Sequence, residues 1–194
     1  MKALIVFHSV CGNNFQIAKY FQTALTDSGF DAQIRSIADA DRAVWQERFS
    51  CAAEFAKTIN SIPEARVDEL PDYDLIILGS PNYFGNVSAE MKRFMDDTAK
   101  FYVQQPLQNK YAAFFCSSSS NGGGGVYCLE AMCRFAQHTG MIPLPLPLKI
   151  QQLSSETSAY GFTHISGLQG ARRPDENLRS AIVAFVKNLQ LIVR

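Results

Sequence analysis

The residues able to do chemistry fall in three short stretches, each directly after a run of apolar residues. Ser9, Val10, Cys11, Gly12, Asn13 and Asn14 follow the apolar run 3–7. Pro81, Asn82, Tyr83, Phe84 and Gly85 follow the run 75–78, and Asn86 and Ser88 lead into a helical pattern. Ser117, Ser118, Ser119, Ser120, Asn121 and Gly122 follow the run 111–115 and continue in glycine to Gly125. In the first stretch, Gly12 opens a helical pattern, so backbone N–H groups and the positive helix end converge on one point. An anion can be held there without lysine or arginine, and the stretch contains neither. Ser9, Asn13 and Asn14 add side-chain donors. The second stretch offers two aromatic rings on a loop. The third has no side chain able to build a core, and serine and glycine let backbone N–H groups come close to a ligand. Together they describe a site for a flat aromatic ligand carrying one phosphate. The Gly-x-x-x-x-Gly-Lys-Ser/Thr pattern of nucleotide-triphosphate loops is absent, as is the Gly-x-Gly-x-x-Gly of pyrophosphate binding.

The elements that must position these loops alternate. Strands are expected over 2–8, 31–37, 74–79, 110–116 and 141–148. Helices are expected over 13–28, 41–59, from 88 onwards, 127–139 and 175–193. Over 41–59, Trp45, Phe49, Ala52, Phe55, Ala56 and Ile59 share one helical face. Such alternation predicts a parallel sheet covered by helices on both faces, and open parallel sheets bind ligands at the carboxyl ends of their strands. In the last strand Pro143, Pro145 and Pro147 alternate with Leu144, Leu146 and Leu148. Because N–H direction alternates with period two, all three missing donors face one edge. This places 141–148 at the outer edge, with the Leu144 and Leu146 N–H groups bonded to the fourth strand. Residues 151–173 are too long for a simple connection, and loops of that length are usually functional or disordered.

At 194 residues the chain fits one domain, 1–194, with a full core. Its 18 basic and 18 acidic residues balance, so bulk charge does not call for nucleic acid or an anionic membrane. The N-terminal apolar run is too short for a signal peptide or a spanning helix, which makes a cytoplasmic address the default. The five cysteines are odd in number and form no Cys-x-x-Cys, and the three histidines form no His-Glu-x-x-His. Free thiols and no metal are the expectation.

The pattern Pro81, Phe84, Gly85, Asn86, Ser88, Lys92, Phe94 and Asp96 resembles a signature of the WrbA-type NAD(P)H:quinone oxidoreductases. The pieces from Tyr160 to Thr163 and from Gly170 to Pro174 resemble two further segments of that family, so the likeness spans nearly the whole chain. The resemblance implies a flavodoxin-like three-layer α/β/α sandwich with a five-stranded parallel sheet in the order 2-1-3-4-5. It implies FMN as cofactor, NADH or NADPH as donor, a quinone as acceptor, and a homo-oligomer, usually a tetramer. The FMN phosphate would sit on residues 9–14 and the isoalloxazine between 82–84 and 117–122. Tyr102 falls where the family has an aromatic residue over the substrate, and His138 where it has a histidine reaching a neighbouring subunit's flavin. Cys11 stands where the family has tyrosine, and Asn121 where it has glycine. Two alternatives stay open: a flavodoxin-type electron carrier, against which the balanced charge argues, and a flavin-dependent reductase of another acceptor.

Overall fold

The computed structural model describes residues 1–192. In chain order its elements are β1 Lys2–Phe7, α1 Asn13–Asp27, β2 Asp31–Ser36, α2 Arg42–Arg48, α3 Ser50–Asn60, β3 Leu75–Pro81, α4 Ala89–Asp96, β4 Tyr111–Ser118, α5 Gly125–His138, β5 Ile142–Pro143, α6 Leu148–Gln151, β6 Thr157–Ser158, β7 Gly161–Ile165 and α7 Glu176–Ile192. One sheet runs in the order β2-β1-β3-β4-β7-β6, with β5 also paired to β4. Every pairing is parallel except β6 with β7. Side chains alternate between the two faces of a strand. Accordingly Ala3, Ile5 and Phe7 enter one core with α1 and α7, where the Phe21 ring meets Phe115 and Phe162 at centroid distances of 5.6 and 5.3 Å. Leu4 and Val6 enter the other core with Met91 of α4 and Leu129 and Met132 of α5. The result is the expected three-layer α/β/α arrangement.

Two expectations need correction. The fifth position of the sheet is filled by two segments rather than by one strand over 141–148. Ile142 and Pro143 pair with Tyr111 and Ala112, at the start of β4. Leu144 donates its N–H to the Ala112 carbonyl at 2.8 Å, as the proline alternation requires, but Leu146 donates to Ala159 at 3.2 Å. The chain leaves β4 at this point and turns into α6. The rest of β4 pairs with β7, from Phe115 against Phe162 to Ser118 against Ile165. An eight-residue strand needs partners along its length, and the proline-free Gly161–Ile165 can donate at every position. The second correction concerns 41–59. This span is two helices broken at Phe49, whose backbone is extended (φ −126°, ψ 120°).

The long segment 151–173 is ordered. Its anchor is Glu156, buried beside fully buried His164. His164 Nδ1 lies 3.0 Å from Glu156 Oε2, and its Nε2 lies 2.8 Å from the Arg172 carbonyl. The Arg172 guanidinium bonds to Glu156 Oε1 and to the Ile165 carbonyl, and the Ile165 N–H donates to Glu156 Oε1 at 3.0 Å. These bonds fix the ends of the strap 166–170 where it crosses from β7 to α7.

Burial alone would raise the Glu156 carboxyl pKa. Hydrogen bonds from His164, Arg172 and the Ile165 N–H outweigh it and hold the group below its usual 4.5. A depressed carboxyl pKa contributes stability above its unfolded value, and this is lost as pH falls through the folded one. Glu156→Gln is therefore expected to destabilise the protein by about 1–3 kcal/mol at pH 7. In urea unfolding the gap between wild type and variant should narrow towards pH 3; a constant gap would count against the carboxylate's role.

Candidate active site

Parallel pairing sets the carboxyl ends of β1, β3 and β4 side by side, with Phe7 opposite Gly79 and Gly79 opposite Phe115. The loops that follow meet in one cleft. Its walls include Ser9, Val10, Cys11, Asn13, Asn14, Pro81, Asn82, Tyr83, Ser117 and Ser119, as the sequence indicated. Two further contributors are Phe49, at the break between α2 and α3, which was not foreseen, and the strap 166–170, part of the long segment the sequence marked as functional or disordered. The signal for Phe49 was masked by a helical periodicity that continues through the break. For the strap, the glycine pair Gly167 and Gly170, both with positive φ (76° and 68°), was the only local cue.

At the first loop, Gly12 adopts a left-handed backbone (φ 83°), and a Cβ there would lie 2.2 Å from the Phe55 ring. Among the described residues, no internal acceptor is recorded for the N–H groups of residues 9–15, the loop and the first turn of α1. Such N–H groups at a helix start seek an anion or water. The asparagine side chains are used differently from the expectation. Asn13 donates to the Gly170 carbonyl at 2.8 Å, and Asn14 donates to the His8 carbonyl at 3.0 Å. They brace the loop, leaving backbone N–H groups and the Ser9 hydroxyl to meet a ligand.

The second loop is a tight turn. Tyr83 and Asn86 exchange backbone hydrogen bonds of 2.9 and 3.0 Å, with Phe84 (φ 53°) and Gly85 (φ 75°) between them. Positive φ at both central residues is the type I′ pattern, which strains a phenylalanine. The Phe84 side chain stands fully in solvent. Ser88 caps α4 through Met91, accepts or donates at His8 Nδ1 (2.9 Å), and donates its N–H to Ser80 (2.9 Å). His8 also meets Asp39 at its other ring nitrogen, 3.2 Å away, while Glu90 lies 3.6 Å from Nδ1. The two carboxylates thus flank opposite ring nitrogens. Burial, then the Glu90 and Asp39 charges, push the Tyr83 phenol up to about 12, so it stays neutral.

Asn82 ties the second loop to the third. Its amide nitrogen donates to Ser118 Oγ (3.2 Å) and to the Gly123 carbonyl (2.7 Å). Its Oδ1 is buried without a partner, as is Asn14 Oδ1. A buried acceptor without a donor is costly, and an orphan in a cleft wall fits a ligand N–H. The unpartnered loop N–H groups and this acceptor fit a phosphorylated planar heterocycle such as FMN.

Other singled-out residues lie beside the cleft and do not line it. Gly12 and Gly85 shape their turns, Ser118 is buried, Ser120 is exposed, and Asn121 and Gly122 border a second depression at the start of α5. Tyr102 and His138 share a separate, largely apolar groove with Phe101 and Phe135.

The cysteines require a further correction. Cys11 and Cys51 form a disulfide that ties the first loop to α3, their Cα atoms 4.8 Å apart. Cys116, Cys128 and Cys133 are free. Contact with Cys116, then burial, pushes the Cys128 thiol pKa up, which makes it a poor nucleophile.

A flavodoxin-like α/β fold with a ligand cleft at its strand ends is the class these features define. The model of the NADPH-dependent FMN reductase family matches residues 1–150, and the chain belongs to that family. An NAD(P)H dehydrogenase (quinone) of Geobacter sulfurreducens is 33% identical over 184 residues, covering 91% of this chain and 90% of that protein. One of Archaeoglobus fulgidus is 31% identical over 160 residues, covering 82% and 83%. Among solved structures, Flavodoxin 1 of Bacillus cereus superposes with a TM-score of 0.67 at 17% identity, covering both chains in full. A flavodoxin, WrbA-like protein of Agrobacterium tumefaciens gives 0.62 at 18% identity, covering 100% of this chain and 99% of that one.

Titration of the unfolded, unreduced protein with a thiol reagent should return three thiols, rising to five after reduction. Five without reductant would show that Cys11 and Cys51 are unlinked.

Proposed function

We propose that this chain is a WrbA-type, FMN-dependent oxidoreductase that passes two electrons from NADH or NADPH to a quinone. The observation that carries the reading is the cleft itself, with unpaired N–H groups at the start of α1 and a buried, unpartnered acceptor on Asn82. When bound there, FMN would supply hydride acceptance and two-electron release. The N–H groups of residues 9–14 and the Ser9 hydroxyl hold the phosphate. Asn82 and Tyr83 would face the ring system from one loop, and Ser117 and Ser119 from the other. The backbone N–H groups of Phe84 and Gly85, which have no acceptor among the described bonds, would favour negative charge on a ring bound beside them. Tyr83, a neutral phenol over the pH range of interest, can donate a hydrogen bond without carrying charge. Nicotinamide and quinone would use the cleft in turn.

The reading extends to a homo-oligomer, in which the groove holding Tyr102 and His138 meets another copy's cleft, and to a cytoplasmic location. No helix among the described residues is long and apolar enough to cross a membrane. The fully exposed Phe84 ring at the cleft also suits docking of a redox partner, as in a flavodoxin-type carrier. Balanced charge disfavours that reading, because carriers of this kind depend on electrostatic steering.

The purified protein is expected to bind FMN more tightly than FAD, because the cleft has an anion loop and no pyrophosphate motif. Calorimetry giving equal or tighter FAD binding would overturn this. With NADH or NADPH and benzoquinone, double-reciprocal plots should be parallel; intersecting lines would exclude a shared face. Sedimentation at micromolar concentration should give a tetramer, and a monomer mass alone would reject the assembly.

A further inference from the structure

Arg173 does not line the cleft, yet it touches the anion loop more extensively than any other charged residue described here. Its Nη1 donates to the Cys11 carbonyl at 2.6 Å, to Asn13 Oδ1 at 3.2 Å and to the Gly170 carbonyl at 3.3 Å. Its Nη2 donates to Glu54 at 2.5 Å. The guanidinium lies over the Phe55 ring, 4.7 Å from the centroid. The same ring fills the space where a Cβ on Gly12 would sit. Arg173, Phe55 and the Gly12 backbone are therefore stacked in one column behind the loop.

A peptide unit is planar and trans, so the carbonyl of one residue and the N–H of the next point in opposite directions. By holding the Cys11 carbonyl at the back of the loop, Arg173 turns the Gly12 N–H towards the cleft. The disulfide holds the Cys11 side chain but not its carbonyl, and glycine accepts either sign of φ at little cost, so without Arg173 the Cys11–Gly12 peptide is free to turn. A flipped peptide would present a carbonyl oxygen to an incoming phosphate, exchanging attraction for repulsion. We propose that Arg173 is a positioning residue for phosphate recognition, acting through the Cys11–Gly12 peptide. It gives a loop without lysine or arginine its anion-binding geometry. Glu54 and Phe55 complete the arrangement by fixing the guanidinium plane.

The inference rests on the reading of the cleft as an FMN site, and riboflavin, which lacks the phosphate, separates the two. Affinities of FMN and riboflavin would be measured by flavin fluorescence quenching in wild type, Arg173→Ala and Arg173→Lys. Wild type should favour FMN. In Arg173→Ala the preference should fall about 10- to 100-fold, the range for a lost hydrogen bond to a charged group, with riboflavin affinity unchanged. Arg173→Lys keeps the charge but replaces a planar fork with a point donor, and should lose about threefold. This variant decides the matter if the alanine variant does not fold. An unchanged FMN-to-riboflavin ratio in the soluble variants overturns the inference while leaving the FMN site standing. A wild type that binds both flavins equally overturns the site reading and the inference together. As a readout independent of flavin, adding inorganic phosphate should shift the Gly12 amide resonance in wild type and not in Arg173→Ala. An equal shift in both would also overturn it.

Discussion

Everything at the candidate site depends on the common register of three parallel strands. Phe7, Gly79 and Phe115 lie abreast, so β1, β3 and β4 reach the same level before their loops begin. That register is fixed by the two cores. A slip of one residue would carry Ile5 and Phe7 to the opposite face and expose Leu4 and Val6 to the wrong layer. It is also fixed by close fit: a Cβ on Gly79 would lie 2.0 Å from the Phe115 ring, so only glycine allows that ring to cross the strand. Beyond the last core residues the backbone still pairs briefly. His8 donates to Gly79 at 2.9 Å and Asn82 to Ser117 at 2.7 Å before the chains diverge. The site begins where this pairing ends, and unpaired N–H groups are its raw material.

The strap 166–170 and the split fifth strand have one origin. β4 is longer than the proline-rich segment can accompany, so its upper half recruits Gly161–Ile165. That recruitment requires an excursion, and the return path of the excursion passes over the cleft. The cluster of Glu156, His164 and Arg172 converts this detour into a fixed wall. Arg172 and Arg173, adjacent in sequence, serve opposite ends of the strap. Arg172 grips Glu156 and the Ile165 carbonyl at the end of β7, and Arg173 grips the loop before α1.

Much of this was legible in the sequence, because it is local. The alternation of apolar runs with helical patterns located β1, β3, β4, α1, α5 and α7 within a few residues. Glycine and serine after each apolar run marked the loops. The start of α4 near Ser88 and the donor direction at Leu144 followed from helical and strand periodicity. What was missed depends on contacts between distant residues. The Cys11–Cys51 link joins positions 40 apart, and nothing in their spacing encodes a Cα separation of 4.8 Å. The break at Phe49 interrupts a periodicity that is otherwise continuous. Leu146 has the same donor direction as Leu144, and only the path of the chain after Pro147 decides that it bonds to Ala159. Tyr102 and His138 were singled out by the resemblance rather than by local pattern, and in the single chain they border a groove of their own.

The disulfide closes residues 11–51 into a covalent ring, and β2 lies inside it. β2 is the sheet's outermost strand on that side, with β1 as its strand partner and only Ser36 bridged to Glu64 on the outer side, and an edge strand is ordinarily the first part of a sheet to fray. Its ring closure means that β2 cannot drift from the sheet as a free flap. Any large excursion of the edge pulls on Cys11, and through it on the loop before α1, to which the proposed function assigns the anion. On the proposed reading of that loop, loosening at the rim would be coupled to release of a ligand at the centre. A ligand held by that loop would, by the same coupling, quiet the far edge of the sheet.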